Sequence, residues 1–302
     1  MSDEPGSLLG ACLRKPEHAP SRKPFPRCSD GLLGRGVIAA CLTFLCAARA
    51  AAQIQQPVVA PAPLGPEFLA RYDFHLSAAA LASGGGAKMP PDERFSWDTH
   101  FGGSLDVVDY VAGRVGLVLD YQAVLGSEYR PFDPNQGNYT LETSASARVG
   151  ATELAGVFHH VSRHISDRPK RFAVAWNELG ARAMRRVTVA GMTVDADLEA
   201  ARLVQHSYVD YTWVGELSLL VRRPLSDRVG VFAHGTGQMF GVDDSVANRG
   251  TQAGGSVEVG FRVNGRAGAL ELFVGFEKRV DADPLDRQPH RWGLAGFRLL
   301  SR

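Results

Sequence analysis

Cysteine is scarce in this sequence and confined to one end of it. All four cysteines fall within the first 46 of 302 residues. The same region holds a basic flank, a short apolar run from Gly36 to Ala47 and the small-residue segment Ala48-Arg49-Ala50, which are the parts of a secretory signal peptide. We predict that residues 1–52 form this signal peptide. The exported remainder then has no cysteine, and no disulfide framework supports its fold.

Long apolar runs and an excess of one charge are also missing. Beyond the leader, no stretch approaches the roughly 20 apolar residues that a membrane helix needs, so a helical membrane protein is excluded. Lys and Arg number 33 against 32 Asp and Glu, for a net charge of +1. No basic footprint for nucleic acid is present, and we predict no nucleic-acid partner. A β-barrel is not excluded, because its strands need only alternate.

Apolar and polar residues do alternate through the exported part of the chain. From Arg114 to Val124 the odd positions are apolar, whereas the even positions include Asp120 and Gln122. Charges on the minor face of strands of about 10 residues are typical of a wall between lipid and lumen. A soluble β-sandwich also alternates, but its inner face carries large Leu, Ile and Phe side chains, whereas here Ala, Gly and Val are common. We therefore interpret residues 67–302 as a transmembrane antiparallel β-barrel of the bacterial outer membrane, an all-β fold.

The breaks between alternating segments predict about twelve strands. They lie near 67–82, 94–110, 114–125, 137–149, 152–163, 171–183, 186–204, 208–223, 227–240, 251–264, 267–279 and 290–301. An even number places both ends of the barrel in the periplasm, with odd-numbered strands running outward. Residues 53–66, rich in Pro and Ala, are expected to be a flexible lead-in. Residues 194–204 are also compatible with a helix, and Tyr208, Tyr211, Trp213 and Trp292 are expected to form girdles at the membrane surfaces.

The hairpin of the fifth and sixth strands carries polar residues on its lipid-facing side. If it folds about Arg168-Pro169, His160 lies opposite Asn177, and Ser162 is a diagonal neighbour on the same face. Polar side chains facing lipid are costly and indicate a functional site. A Ser hydroxyl needs a base, and the base needs a third group to orient it. We predict Ser162 as nucleophile, His160 as base and Asn177 as orienting residue, acting on an ester bond of a membrane lipid.

This hairpin resembles the outer-membrane phospholipase A family in three places: His160-Val161-Ser162, Ser166-Asp167 and Trp176-Asn177. The resemblance implies a twelve-stranded barrel with its catalytic residues outside, near the outer leaflet. It also implies a homodimer with calcium at the interface, and Ser166 and Asp167 are then the candidate metal ligands. The segment Arg163-His164-Ile165 departs from the family, which has a Gly-rich stretch there.

Two further resemblances lead elsewhere. Lipid A deacylase barrels also use His-x-Ser but with a downstream Glu, and here Glu178 points to the lumen. Uncharacterised outer-membrane barrels share a His-x-Ser-x-His-x-x-Asp pattern, which the segment from His160 to Asp167 satisfies.

Other interpretations stay open from the sequence alone. His75-Leu76-Ser77 has the same His-x-Ser spacing but lies on a lumen face. A lipid esterase and a non-catalytic barrel, whether structural, a narrow channel or a receptor, both fit the pattern. Inward-facing charges that pair across the lumen favour a closed barrel over a general pore. In either case, the expected partners are membrane lipids and the outer-membrane assembly machinery.

Overall fold

Twelve antiparallel strands form a closed barrel in which β1 pairs with β12. The structure, a computed structural model, describes residues 59, 61–83, 94–127, 130–166 and 170–301. The predicted signal peptide and half of the lead-in lie outside these residues. The strands are β1 (Glu67–Ser83), β2 (Trp97–Asp109), β3 (Arg114–Gly126), β4 (Asp133–Val149), β5 (Thr152–Ile165), β6 (Val174–Val189), β7 (Met192–Ser207), β8 (Tyr211–Pro224), β9 (Val229–Val242), β10 (Gln252–Asn264), β11 (Gly268–Arg279) and β12 (His290–Ser301). The predicted fold class is confirmed.

The described residues contain no helix that is long and apolar enough to cross a membrane.

The connections differ in length between the two ends of the barrel. At one end, strands are joined by residues 110–113, 150–151, 190–191, 225–228 and 265–267. At the other end, the connections are residues 84–96, 127–132, 166–173, 208–210, 243–251 and 280–289. Because such barrels have short periplasmic turns and longer extracellular loops, the second end is extracellular and the odd-numbered strands run outward.

The wall of the barrel is apolar outside and charged inside. Leu179 and Phe261 are 58% and 59% exposed on the outer surface, whereas the adjacent Glu178 is buried and Glu258 is wholly buried inside. Period-two alternation forces this separation, because successive side chains point to opposite faces of a strand. An apolar exterior and a charged interior are typical of the β-barrels that span the bacterial outer membrane. The predicted location in that membrane follows from the fold.

The lumen is filled by ion pairs. Arg182 binds Glu142 and Glu199 from three different strands, with nitrogen–oxygen distances of 2.6 to 2.8 Å. Arg298 bridges Glu258 and Glu271 at 3.0 and 2.9 Å. The same role is played nearer the periplasmic end by Arg114, Asp106 and Glu153. The inward charges therefore pair with one another, as predicted, but these pairs run along the inner wall between strands that are adjacent or one apart.

The β11–β12 loop closes the extracellular mouth. The Arg163 guanidinium, which lies on β5, donates to the backbone oxygens of Asp281 at 2.6 Å and Ala282 at 2.9 Å. Arg249, in the β9–β10 loop, binds the carboxylate of Asp281 at 2.7 Å and that of Asp210. Burial on its own lowers the pKa of Arg249, but these two carboxylates hold that pKa above its ordinary value.

Two local expectations were wrong, whereas residues 194–204 are strand, as predicted, and not helix. The turn between β6 and β7 lies at Ala190-Gly191 and not near 184–185. Both turn residues have positive φ angles, of 50° and 74°, and the alternation of β6 continues up to them. Tyr211 and Trp292 are buried in the mouth of the barrel instead of in a girdle. A register shift between Tyr211 and Trp213 turns Tyr211 inward.

Candidate lipid-facing active site

The β5–β6 hairpin places the predicted residues together on the outer surface. His160 lies directly opposite Asn177, as predicted, and Ser162 lies opposite Ala175. Leu154 on the same face of β5 is exposed, whereas Glu153 is buried, so this face meets lipid. His160 and Ser162 lie five and three residues before the extracellular end of β5 at Ile165. The group therefore lies in the outer half of the membrane wall.

A line of hydrogen bonds joins three strands across this surface. His160 Nδ1 lies 2.7 Å from Asn177 Oδ1, and Asn177 Nδ2 donates to Gln205 Oε1 at 2.9 Å. Because the amide oxygen of Asn177 can only accept, the proton of the neutral His160 ring lies on Nδ1. Nε2 is then left as a proton acceptor. Asn177 thus does for His160 what the orienting member of a catalytic triad does for its base.

Ser162 has a different histidine as its hydrogen-bond partner. Its Oγ lies 3.0 Å from His164 Nε2, and among the described residues the structure shows no hydrogen bond between Ser162 and His160. His164 also meets the ring of Tyr139 edge-on, at 5.3 Å between ring centroids. Side chains two residues apart share one face of a strand, so His160 and His164 flank Ser162 on either side.

Two residues of this surface were missed by the sequence analysis. His164 has the same parity as His160 and Ser162, and that signal would have placed it beside the serine. Gln205 could not be found in this way. A register shift between Asn177 and Glu178 carries the pairing from Gln205 to Leu203 and places Gln205 opposite Asn177.

An apolar groove adjoins the site on its β4 side. A row of aromatic side chains leads to Ser162 along one rung of the sheet, through Phe101, Tyr121 and Tyr139. The ring centroids in this row are 5.1 and 4.9 Å apart. Beneath the row a groove passes Gly103 on the outer wall and is lined mainly by apolar side chains. This lining has the chemical character that suits an acyl chain.

The second His-x-Ser sequence lies in a different environment. His75 is buried in the lumen, with its Nε2 2.7 Å from Asp120 Oδ1, and the other oxygen of that carboxylate lies 2.8 Å from His100. The position of His75 in the lumen agrees with the face that the alternation of β1 predicts for it. Its hydrogen bond to Asp120 accounts for this histidine, which lies on the opposite side of the wall from the lipid.

The predicted metal ligands do not form a calcium site among the described residues. The Ser166 amide donates to the backbone oxygen of Asn135 at 2.9 Å, and Asp167 lies outside the described residues. Within the part of the chain that the structure describes, no group of three or more His, Cys, Asp or Glu is placed to hold a metal ion. Calcium binds six to eight oxygens. Ser166 alone does not fit that requirement, and no chemical step is derived through calcium.

No family model and no curated protein matches the sequence. Among solved structures, the barrel is similar to the calcium-bound outer-membrane phospholipase dimer of Salmonella typhi, at 13% identity and a TM-score of 0.46, over 76% of this chain and 90% of that one. It is also similar to outer-membrane phospholipase A of Escherichia coli, at 14% identity and a TM-score of 0.44, over 77% of this chain and 97% of that one. LpxR of Salmonella typhimurium is similar at 8% identity and a TM-score of 0.43, over 76% of this chain and 99% of that one. At these identities the similarity describes the fold alone.

Proposed function

We propose that this barrel hydrolyses an acyl ester of a membrane lipid from the outer leaflet, through Ser162. One observation carries the proposal: an oriented imidazole, His160 bound to Asn177, lies beside a serine on the surface that faces lipid. A polar cluster in this position is costly unless it has a function. The adjoining groove at Gly103 supports a substrate with an acyl chain.

The reaction uses each side chain for one task. Ser162 Oγ turns from His164 towards His160, gives its proton to His160 Nε2 and attacks the carbonyl carbon of the ester. The ester C–O bond breaks, and His160 returns the proton to the departing alcohol oxygen. Water then attacks the acyl-serine, with His160 again as base, and releases the carboxylic acid. Asn177 holds the ring of His160 throughout, as a neutral substitute for a carboxylate.

The test is hydrolysis of a phospholipid ester by the purified protein in detergent micelles, with and without added calcium. Ser162→Ala and His160→Ala each remove a reacting group and are expected to lower turnover by roughly 10²–10⁴-fold or more. Asn177→Ala is expected to lower it less, because an unoriented imidazole still samples the reactive tautomer. His164→Ala is expected to stay within a few-fold of wild type, because no residue that the structure describes orients the His164 ring as Asn177 orients that of His160.

Two controls make the assay decisive. His75→Ala changes the lumen histidine with the same His-x-Ser spacing and is expected to leave turnover unchanged. A double variant of Ser162 and His160 is expected to be no worse than the worse single variant, since the two groups act as a unit. Hydrolysis by the wild type no faster than by Ser162→Ala would contradict the proposal. A greater loss in His164→Ala than in His160→Ala would reassign the base.

A further inference from the structure

We propose that Arg202, on the outer surface of β7, binds the phosphate group of a lipid held at the site. The binding part of this inference stands alone, whereas its link to a reaction rests on the proposed function.

Arg202 is a charged residue in an apolar, lipid-facing surface. Along β7 the side chains of Glu199, Ala201 and Leu203 are buried, while Arg202 and its same-face neighbours Ala200 and Val204 are exposed. Its cross-strand neighbours are Leu179 on β6 and Trp213 on β8. Leu179 is 58% exposed and Trp213 is 41% exposed on the same surface. The guanidinium is therefore surrounded by side chains that face acyl chains.

Among the residues that the structure describes, no carboxylate lies at ion-pair distance from Arg202, and its side chain has no hydrogen bond. Lumen arginines of the same barrel differ, since Arg182 and Arg298 each bind two carboxylates. An uncompensated guanidinium among lipid-facing side chains is unfavourable, and a partner from the membrane itself would relieve that cost.

The position of Arg202 relates it to the candidate site. Arg202 pairs with Leu179, and Asn177 lies two residues further along the same face of β6. Arg202 and Asn177 are therefore diagonal neighbours, about 7–8 Å apart between their α-carbons. Arg202 lies five residues before the end of β7 at Ser207, just as His160 lies five before the end of β5 at Ile165. The guanidinium and the imidazole thus lie at a similar distance from the extracellular ends of their strands.

Phosphate is the anion that this arrangement suits. The planar guanidinium presents paired N–H donors that match two phosphate oxygens, and the long apolar stem of arginine lies along an apolar wall while its head reaches the polar boundary. Glycerophospholipids and phosphorylated glycolipids both carry such a group.

The experiment measures binding without hydrolysis, in the Ser162→Ala protein in an uncharged detergent. The probes are phosphatidylglycerol, a diacylglycerol with the same acyl chains, a phosphorylated glycolipid and inorganic phosphate, and complexes are quantified by native mass spectrometry. Arg202→Gln is expected to weaken phosphatidylglycerol binding by on the order of tenfold, as the loss of one charge-assisted contact does. Diacylglycerol binding is expected to be unchanged.

Matched variants separate phosphate binding from charge at a surface. Arg202→Lys keeps the charge but lacks the paired N–H donors, and it is expected to restore only part of the binding. Arg185→Gln removes another exposed outward arginine, near the periplasmic end of β6, and is expected to have no effect. Stronger glycolipid binding than phosphatidylglycerol binding would assign the phosphate to the glycolipid, and the reverse order would assign it to the phospholipid. Binding of inorganic phosphate alone would reject a lipid ligand.

Two results would overturn the inference. One is equal binding of phosphatidylglycerol by the Arg202→Gln variant and by the Ser162→Ala parent protein. The other is a loss of this binding in Arg185→Gln as large as that in Arg202→Gln. Either result would mean that Arg202 provides no specific phosphate site. Heat-modifiable migration in gels checks that each variant is a folded barrel. Because Ser162 is absent throughout, a failure of hydrolysis leaves these binding results intact, and a failure of binding leaves the esterase test intact.

Discussion

At the scale of single residues, the contacts that the proposed catalytic triad needs are divided between two histidines. His160 has the orienting partner, Asn177, whereas His164 has the contact with Ser162 Oγ at 3.0 Å. A rotation about the Cα–Cβ bond of Ser162 moves its hydroxyl between staggered positions, and such rotations are fast and inexpensive for an exposed side chain. Orientation of the base is harder to supply than rotation of a hydroxyl, and for that reason we assign the base to His160.

Residue-scale energetics are tested most clearly by two arginines on opposite faces of β6. Arg182→Met leaves Glu142 and Glu199 buried without their cation, and the expected loss in free energy of unfolding is about 3–5 kcal/mol. Arg185→Met removes an exposed arginine three residues away and is expected to change that free energy by less than about 0.5 kcal/mol. Urea unfolding of the barrel in lipid vesicles measures both. Equal effects would mean that the lumen network does not stabilise the fold.

At the scale of elements, alternation predicted the strands well because a barrel wall separates two solvents. Glu178 and Asn177 were assigned to opposite faces from parity alone, and the structure places them so. The pairing of His160 with Asn177 was also predictable, because a hairpin with a known midpoint fixes its own register. Parity fails at bulges. Tyr211 and Gln205 lie beside register shifts, and no local feature of the sequence marks these.

The β6–β7 turn shows a second limit. Gly191 marks the turn in the sequence. Close to it, however, Arg185 faces outward and the apolar Met184 faces inward, which reverses the pattern of the other strands. Met184 packs against Ala155 and Val157 and against Val59 of the lead-in. Apolar packing inside the lumen depends on a segment distant in the chain, and alternation along one strand cannot reveal it.

Single cysteines test the assigned faces, since the predicted mature chain has none of its own. Leu217→Cys and Phe261→Cys are expected to react with a maleimide carried in the lipid phase, because both residues are exposed on the outer wall. Glu216→Cys and Glu258→Cys are expected not to react with that reagent and to react only with aqueous maleimide, slowly because the lumen is packed. Labelling is read by mass shift. The reverse pattern would show that the strand faces are assigned wrongly.

At the scale of the whole molecule, a loop and several side chains obstruct the lumen of the barrel. The β11–β12 loop covers its extracellular mouth through Arg163 and Arg249. Below it, the ion pairs of Arg182 and Arg298 line the inner wall, and Val59 packs on that wall. These obstructions favour the proposed lipid-facing site over a channel.

Planar bilayer recording tests the closed lumen. The purified protein is expected to show no steady conductance in concentrated KCl. A deletion of residues 282–287, within the loop that closes the mouth, is expected to remain non-conducting, because the ion pairs below it stay in place. A stable open channel in the wild type would favour transport over the lipid-facing site. A channel only in the deletion variant would show that the loop alone seals the barrel.

The central claim is that Ser162 is an activated nucleophile exposed to lipid. Covalent trapping tests it directly: the protein is treated in micelles with a phosphonate ester that carries an acyl chain, digested and mapped by mass spectrometry. The account predicts one adduct, on Ser162, that persists in His75→Ala and is lost in His160→Ala. Absence of any adduct above the Ser162→Ala background, or an adduct on a lumen serine such as Ser77, would contradict it.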